Sequence, residues 1–151
     1  MSPKIYAAIS GAGHYAPEKV LTNADLERMV DTSDEWIRTR TGIRERRIAA
    51  EGECTSDMGA EAARRALANA GLAAEDVEAV YVATCTPDMV FPSTACLIQA
   101  AIGAGRAYGY DLSAACSGFL MALDAAAAAI ESGRIRTALV IGAEKLSSVT
   151  D

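Results

Sequence analysis

The sequence has little histidine, few aromatics and no excess of positive charge. His14 is the only histidine in 151 residues, and aromatic residues make up 5% of the chain. A globular composition remains, because hydrophobic residues still reach 51%, mostly Ala, Val, Ile and Leu. Such side chains suit helices packed closely on a buried sheet and are nothing like a disordered chain. The 14 Lys and Arg stand against 20 Asp and Glu, a formal net charge of −6. That balance argues against nucleic-acid binding, which needs basic surface to neutralise phosphates. The four cysteines, Cys54, Cys85, Cys96 and Cys116, contain no C-x-x-C pair. With one histidine, a zinc site is not expected. No apolar run reaches the ~18 residues of a membrane span, and Asp124 interrupts the best candidate. The opening "MSPKIYAAIS" lacks the charged and apolar regions of a secretory signal. These absences point to a soluble, cytoplasmic protein with free thiols, and to one domain with a real core.

The positive charge is unevenly placed. Arg38, Arg40, Arg44, Arg46 and Arg47 fall within "RTRTGIRERR". Such a patch suits either a small phosphorylated ligand or a solvated, ion-paired loop.

Periodicity and punctuation give the element order. "KIYAAISGAGHYAP" predicts a strand over 4–11 running into a Gly-rich turn. "GAGHYAP" is a poor phosphate loop, since no helix follows and Pro17 marks a loop. His14 therefore reads as a loop or structural histidine. "TNADLERMV" predicts a short helix over 24–30. "DTSDEWIRTRTG" predicts another, capped by Thr32 or Ser33 and ended by Gly42, with a charge order that suits the helix dipole. "CTSDMGAEAARRALANAGL" is the clearest surface helix, capped by Thr55 or Ser56 and ended by Gly71. A helix in "PSTACLIQAAIG" starts near Pro92 and ends at Gly103. Further strands are expected at 77–84, 108–113 and 137–143. Near-continuous apolar strands alternating with helices mean a largely parallel sheet covered on both faces. No internal repeat or low-complexity linker interrupts the pattern.

The helix expected over 117–132 carries Phe119, Leu120, Met121, Leu123, Ile130 and a run of alanines, leaving almost no polar face. A helix apolar all round is buried all round. One sheet cannot cover it, so a second half-domain, a second subunit or both are implied.

Cys116 opens that helix, between the small residues Ala114, Ala115, Ser117 and Gly118. Taken blind, any cysteine reads as a buried small hydrophobe. This one sits at a tight strand-to-helix turn, where helix N–H groups and the dipole favour a thiolate or an oxyanion. Ligands also collect at the carboxyl ends of such strands. Thiolate attack on a thioester, giving an acyl-enzyme of similar energy, fits the position.

Several segments match a known pattern. "YDLSAACSGF" resembles the nucleophile motif of β-ketoacyl-acyl carrier protein synthase III, a condensing enzyme of the thiolase superfamily. "TNADLERMVDTSDEWIRTRTGIRERRIA" is similar to that family's N-terminal signature, "VATCTPDMVFPSTACLIQ" to its dimer-interface segment and "ALVIGAEKLS" to the strand that follows. The resemblance implies an α/β thiolase fold, of which residues 1–151 would be one N-terminal half-domain. That half-domain has a mixed five-stranded sheet and a buried central helix. The resemblance also implies Cys116 as acyl-accepting nucleophile, Trp36 stacked on the coenzyme A adenine, and Thr32 and Arg40 beside the nucleotide. Phe91 would reach the partner's acyl pocket across a homodimer, and Leu146 would line an acyl pocket. Read alone, Trp36 also suits a core or helix-packing position, Leu146 an ordinary core position, and Phe91 reads better as part of a packed loop.

The implied reaction condenses an acyl-CoA, acetyl or short-chain, with malonyl-acyl carrier protein to start fatty acid synthesis. Acyl-CoA is then a substrate, and no resident cofactor or metal is needed. The family's catalytic histidine and asparagine lie in its second half, and nothing in this sequence substitutes for them. The sequence is thus expected to be a truncated piece, an incomplete gene product or one part of a split pair, lacking its C-terminal half-domain. Two rivals remain: a related enzyme making polyketide starters, hydroxymethylglutaryl-CoA or acyl esters, and a non-catalytic half-chain that scaffolds a partner.

Overall fold

The computed structural model describes residues 4–149. The charged early stretch folds as a small unit of its own, with strand β1 (Lys19–Thr22), helices α1 (Asn23–Glu27) and α2 (Asp34–Thr41) and strand β2 (Glu45–Ile48). β1 and β2 pair antiparallel, with Val20 opposite Arg47 and Leu21 opposite Arg46. Thr22 and Asp25 form a reciprocal capping box on α1. The helix expected over 24–30 is therefore shorter and starts one residue earlier. Ser33, not Thr32, caps α2 by accepting from the Trp36 N–H at 3.1 Å. Gly42 ends α2 with a φ of 75°, in the left-handed region that glycine enters without steric cost. The β1–β2 ladder is absent from the sequence expectation, because KVLT and the arginine-rich ERRI are short, lack clear apolar alternation and pair only through tertiary context.

Helix α3 (Thr55–Ala70) is capped by Cys54, whose N–H donates to Asp57 at 2.8 Å. The expected caps do other work. Thr55 donates its hydroxyl to the Thr86 carbonyl at 2.6 Å, and the Ser56 N–H donates to Asp88 at 3.0 Å. Both side chains are engaged by a loop distant in sequence, a competition no local pattern reveals.

Strands β3 (Ala79–Ala83), β4 (Tyr108–Leu112) and β5 (Ala138–Gly142), with helices α4 (Thr94–Ile102) and α5 (Gly118–Glu131), build the core. The sheet order is β4-β3-β5, all parallel, and every β3 residue is buried. Alternation divides the strands between two cores. Val80, Val82, Leu139 and Ile141 pack on α3 and α4 through Ala63, Leu67, Ala95 and Ile98. Ala79, Tyr81, Ala83 and Val140 pack on α5 through Ala122 and Ala126.

The segment 4–11, expected as a strand, forms no ladder. It runs beside β5 but apart from it, bridging the two helical layers. The Ala7 N–H donates to Glu131 on α5 at 3.4 Å, and the Ala12 N–H donates to Asn69 on α3 at 3.0 Å. A cavity of about 670 Å³ separates the segment from β5, walled by Ala62, Ala66, Leu123 and Ala127. Most of its residues are exposed, Ile9 by 78%, and only Ala7 and Gly11 are half-buried. A strand needs a backbone partner ~4.8 Å away, and β5 lies across the cavity. The glycine-rich turn has a packing cause. A Cβ on Gly13 would come within 2.4 Å of the Ala66 nitrogen, so only a bare backbone can lie on α3 there.

α5 turns Gly118, Ala122 and Ala126 to the sheet. Phe119, Leu120 and Met121 stay exposed, Leu120 by 67%. The helix expected to be buried all round is covered on its sheet face only. Among the described residues, no helix is long and apolar enough to cross a membrane.

Candidate active site at the carboxyl end of the sheet

Parallel pairing brings Ala83, Leu112 and Gly142, the last residues of β3, β4 and β5, to one end of the sheet. Cys116 lies there, exposed, in the 3-10 turn Ala115–Ser117 between β4 and α5. Ala115 has φ 47°, the only positive value outside glycine among the described residues. Non-glycine residues enter this region at a steric cost, and such outliers cluster at functional sites. The turn is held by the Ser117 N–H and hydroxyl, which both donate to the Ala114 carbonyl, at 3.2 and 2.8 Å.

Two carboxylates fix the loops around it. Asp111 on β4 accepts from the Thr94 and Ala95 N–H groups at 2.7 and 2.8 Å, seating the N-terminus of α4. Glu144, just past β5, accepts from the Cys85 N–H at 2.7 Å and from the Thr86 hydroxyl. Thr86 in turn accepts from the Lys145 N–H at 2.8 Å. Glu144 thus ties the loop after β3 to the end of β5. Sequence reasoning missed it, since its partners lie 58 and 59 residues away. The only available signal was a polar cluster, "TCT", at one strand end and a lone glutamate at another.

The loop so anchored presents Phe91, 87% exposed. Leu146 is also exposed, in the turn Leu146–Ser148. Neither is the ordinary packed residue it resembled when read alone. Cys116, Phe91 and Leu146 therefore share the carboxyl end of the sheet. His14 is exposed in its loop, where its carbonyl accepts from Arg65 at 3.0 Å. All four cysteines are free; Cys85, Cys96 and Cys116 are exposed and Cys54 half-buried. That corrects the blind expectation of buried thiols.

The remaining site residues sit on the outlying unit. Trp36 is 53% exposed, and Ile37 is the α2 side chain that is buried. The Arg40 guanidinium carbon lies 4.6 Å from the Trp36 ring centroid, one helical turn away. Thr32 lies just before the cap, half-buried. The arginine patch is divided. Arg38 pairs with Asp34 at 3.1 Å and Arg47 with Glu45 at 3.4 Å, while Arg40 is held on the indole. Asp34 is held below the usual 3.8, first by the hydrogen bond from Asn23 and then by Arg38.

A parallel core between helical layers, with a strained cysteine turn at the carboxyl ends of its strands, has the thiolase-like α/β fold. It superposes on 3-oxoacyl-[acyl-carrier-protein] synthase III from Aquifex aeolicus VF5 with TM-score 0.92 and 56% identity, over 95% of this chain and 46% of that one. The priming β-ketosynthase of the R1128 polyketide pathway gives TM-score 0.94 and 41% identity, over 98% of this chain and 44% of that one. In sequence, the β-ketoacyl-[acyl-carrier-protein] synthase III of Xylella fastidiosa (strain Temecula1) is 57% identical over 151 residues, all of this chain and 47% of the relative. Residues 110–151 match the family described as 3-oxoacyl-[acyl-carrier-protein (ACP)] synthase III. The chain matches the N-terminal half of β-ketoacyl-[acyl-carrier-protein] synthase III proteins and spans about half the length of these relatives.

Proposed function

We propose that this chain is the acyl-accepting half of a β-ketoacyl-acyl carrier protein synthase III. The observation that carries the reading is Cys116, exposed in a strained turn at the start of α5, inside the stretch that matches the family. Its thiolate attacks the carbonyl carbon of an acyl-CoA, acetyl or short-chain. The carbon–sulfur bond to coenzyme A breaks, coenzyme A leaves as thiolate, and one thioester replaces another. Malonyl-acyl carrier protein then loses CO₂, and its carbanion attacks the acyl carbon and expels the Cys116 thiolate. The product is a 3-oxoacyl-acyl carrier protein. Acid–base and oxyanion groups for this second step are assigned to a C-terminal half-domain, as His14 lies in an exposed loop.

The exposed Trp36 face takes the adenine, with Arg40 and Thr32 beside the anionic nucleotide. Phe91 and Leu146 serve the acyl pocket, Phe91 across a homodimer. Two features support that dimer. The loop at Val90 and Phe91 is apolar and exposed, and β4 is an edge strand whose Tyr108 and Tyr110 stay open to solvent. The uncovered apolar face of α5 is the natural seat of the second half-domain. The reading needs no resident cofactor or metal and carries a cytoplasmic location. Relatives at 51–57% identity carry the synthase III name, which favours fatty acid initiation; the polyketide priming enzyme, at 41%, is as similar as the synthase III of Pseudomonas aeruginosa.

The test is the intact mass of the full-length protein after exposure to acetyl-CoA. One acetyl adduct, lost in Cys116→Ala and kept in Cys85→Ala, is the expected result. An adduct that survives Cys116→Ala sinks the assignment. Limiting iodoacetamide on the folded protein should label Cys116 before Cys54; equal labelling counts against it.

A further inference from the structure

Asn23 is polar, yet only 2% exposed. Three hydrogen bonds engage its side chain. Nδ2 donates to Asp34 Oδ1 at 2.8 Å and to the Ile43 carbonyl at 2.9 Å, and Oδ1 accepts from Arg46 Nη1 at 2.9 Å. Its backbone N–H donates to the Arg44 carbonyl at 3.2 Å. These bonds reach the first turn of α2, the turn that follows α2, and β2. One residue thus brackets α2 at both ends.

The bracket matters because, beyond the Asp34 N–H donated to Glu27 at 2.6 Å, few long-range contacts hold the helix. α2 buries a single side chain, Ile37, so apolar packing leaves its pitch and rotation weakly determined. Trp36 and Arg40 ride on the exposed side of this helix. A small rotation of α2 would turn the indole face and the guanidinium together. Few side chains could replace asparagine here. Aspartate would lose both donated bonds and set a carboxylate against Asp34. Leucine would strand the Ile43 carbonyl and leave Arg46 only the Leu21 carbonyl as acceptor.

We propose that Asn23 is a positioning residue for the nucleotide end of acyl-CoA: it sets α2, and through α2 the Trp36–Arg40 stack, without acting on the chemistry at Cys116. The inference rests on the assignment of Trp36 and Arg40 under Proposed function.

The test compares two acyl donors on the full-length protein, with acylation of Cys116 followed by mass. One donor is acetyl-CoA; the other is S-acetyl-N-acetylcysteamine, a thioester with no nucleotide. In Asn23→Asp and Asn23→Ser, the acetyl-CoA concentration for half-maximal acylation should rise about tenfold or more, with the maximal rate and the truncated-donor rate near wild type. Equal loss with both donors means general damage and overturns the proposal, as does no change with either. Should neither variant fold, Asp34 decides from the solvent side. Asp34→Ala removes the acceptor on α2 and should copy the effect, while Asp34→Asn keeps an acceptor oxygen and should rescue it. Equal behaviour of the two overturns the proposal. Trp36→Ala separates the layers. If it leaves acetyl-CoA dependence unchanged, the nucleotide-site reading fails and takes this inference with it. If it weakens dependence while the Asn23 and Asp34 variants do not, the inference alone fails.

Discussion

The backbone of Gly118 lies on the side chain of Ala83: a Cβ added to Gly118 would sit 3.1 Å from the Ala83 Cβ. The first residue of α5 is thereby seated on the end of β3, and the Cys116 turn is seated with it. The backbone at Gly118 is ordinary helix, with φ −55°, so the helical preference for Ala over Gly opposes the crowding. Gly118→Ala should therefore be near neutral, and Gly118→Val should destabilise by about 1–3 kcal/mol through overpacking. Cys116 acylation should fall less than about threefold in the first and more than about tenfold in the second, because misplacing a reacting atom by ~1 Å is enough for such losses. Urea midpoints and acylation rates check this. Full activity in Gly118→Val would mean the turn does not depend on this contact.

Gly59 and Ile98 make a second close pair, across α3 and α4. A Cβ on Gly59 would meet Ile98 Cδ1 at 2.5 Å, and Ile98 is fully buried. Gly59→Ala alone should destabilise by about 1–3 kcal/mol, and Ile98→Val alone by about 0.5–1.5 kcal/mol. The double variant should be more stable than the sum predicts, as Ile98→Val removes the clashing methyl. Additive chemical denaturation data would refute the clash.

Asp34 gives a signed pH dependence. Its carboxyl is held below the usual 3.8 because the charged form accepts from Asn23 and Arg38. A depressed carboxylate stabilises the folded unit fully above the unfolded value. That stability is lost as pH falls from about 4 through the lower folded value. Trp36, the only tryptophan in the sequence, reports on the same helix. Its emission should change below about pH 4. Asp34→Asn should remove much of that change. A transition of unchanged size in Asp34→Asn would assign it elsewhere.

The segment over 5–13 supplies a third kind of test. It packs by Gly11 and Gly13 and by side-chain acceptors, without a ladder. Its amides should exchange with solvent far faster than those of β3, which is paired on both edges. Protection equal to that of β3 would show that a backbone partner lies beside it.

Local chemistry made much of this protein legible. The buried strands are short apolar runs that cannot rest on a surface. Gly42, Gly71 and Gly103 end α2, α3 and α4 in the left-handed conformation that their lack of a Cβ allows. Cys116 was legible because small residues, a strand end and a helix start meet in consecutive positions. Only the tertiary structure decided which polar groups find one another. Ser33 rather than Thr32 caps α2, Thr55 and Ser56 serve the loop at Thr86 and Asp88, and Glu144 clamps residues nearly 60 positions away. It also decided that residues 4–11 lie beside the sheet without joining it, and that Asn23 is the buried hub of α2. A hydrogen bond or a ladder needs two partners, and a sequence states each partner's capacity without stating the distance between them. Burial and periodicity are written locally and can be read locally, whereas pairing is settled only once the whole chain is packed.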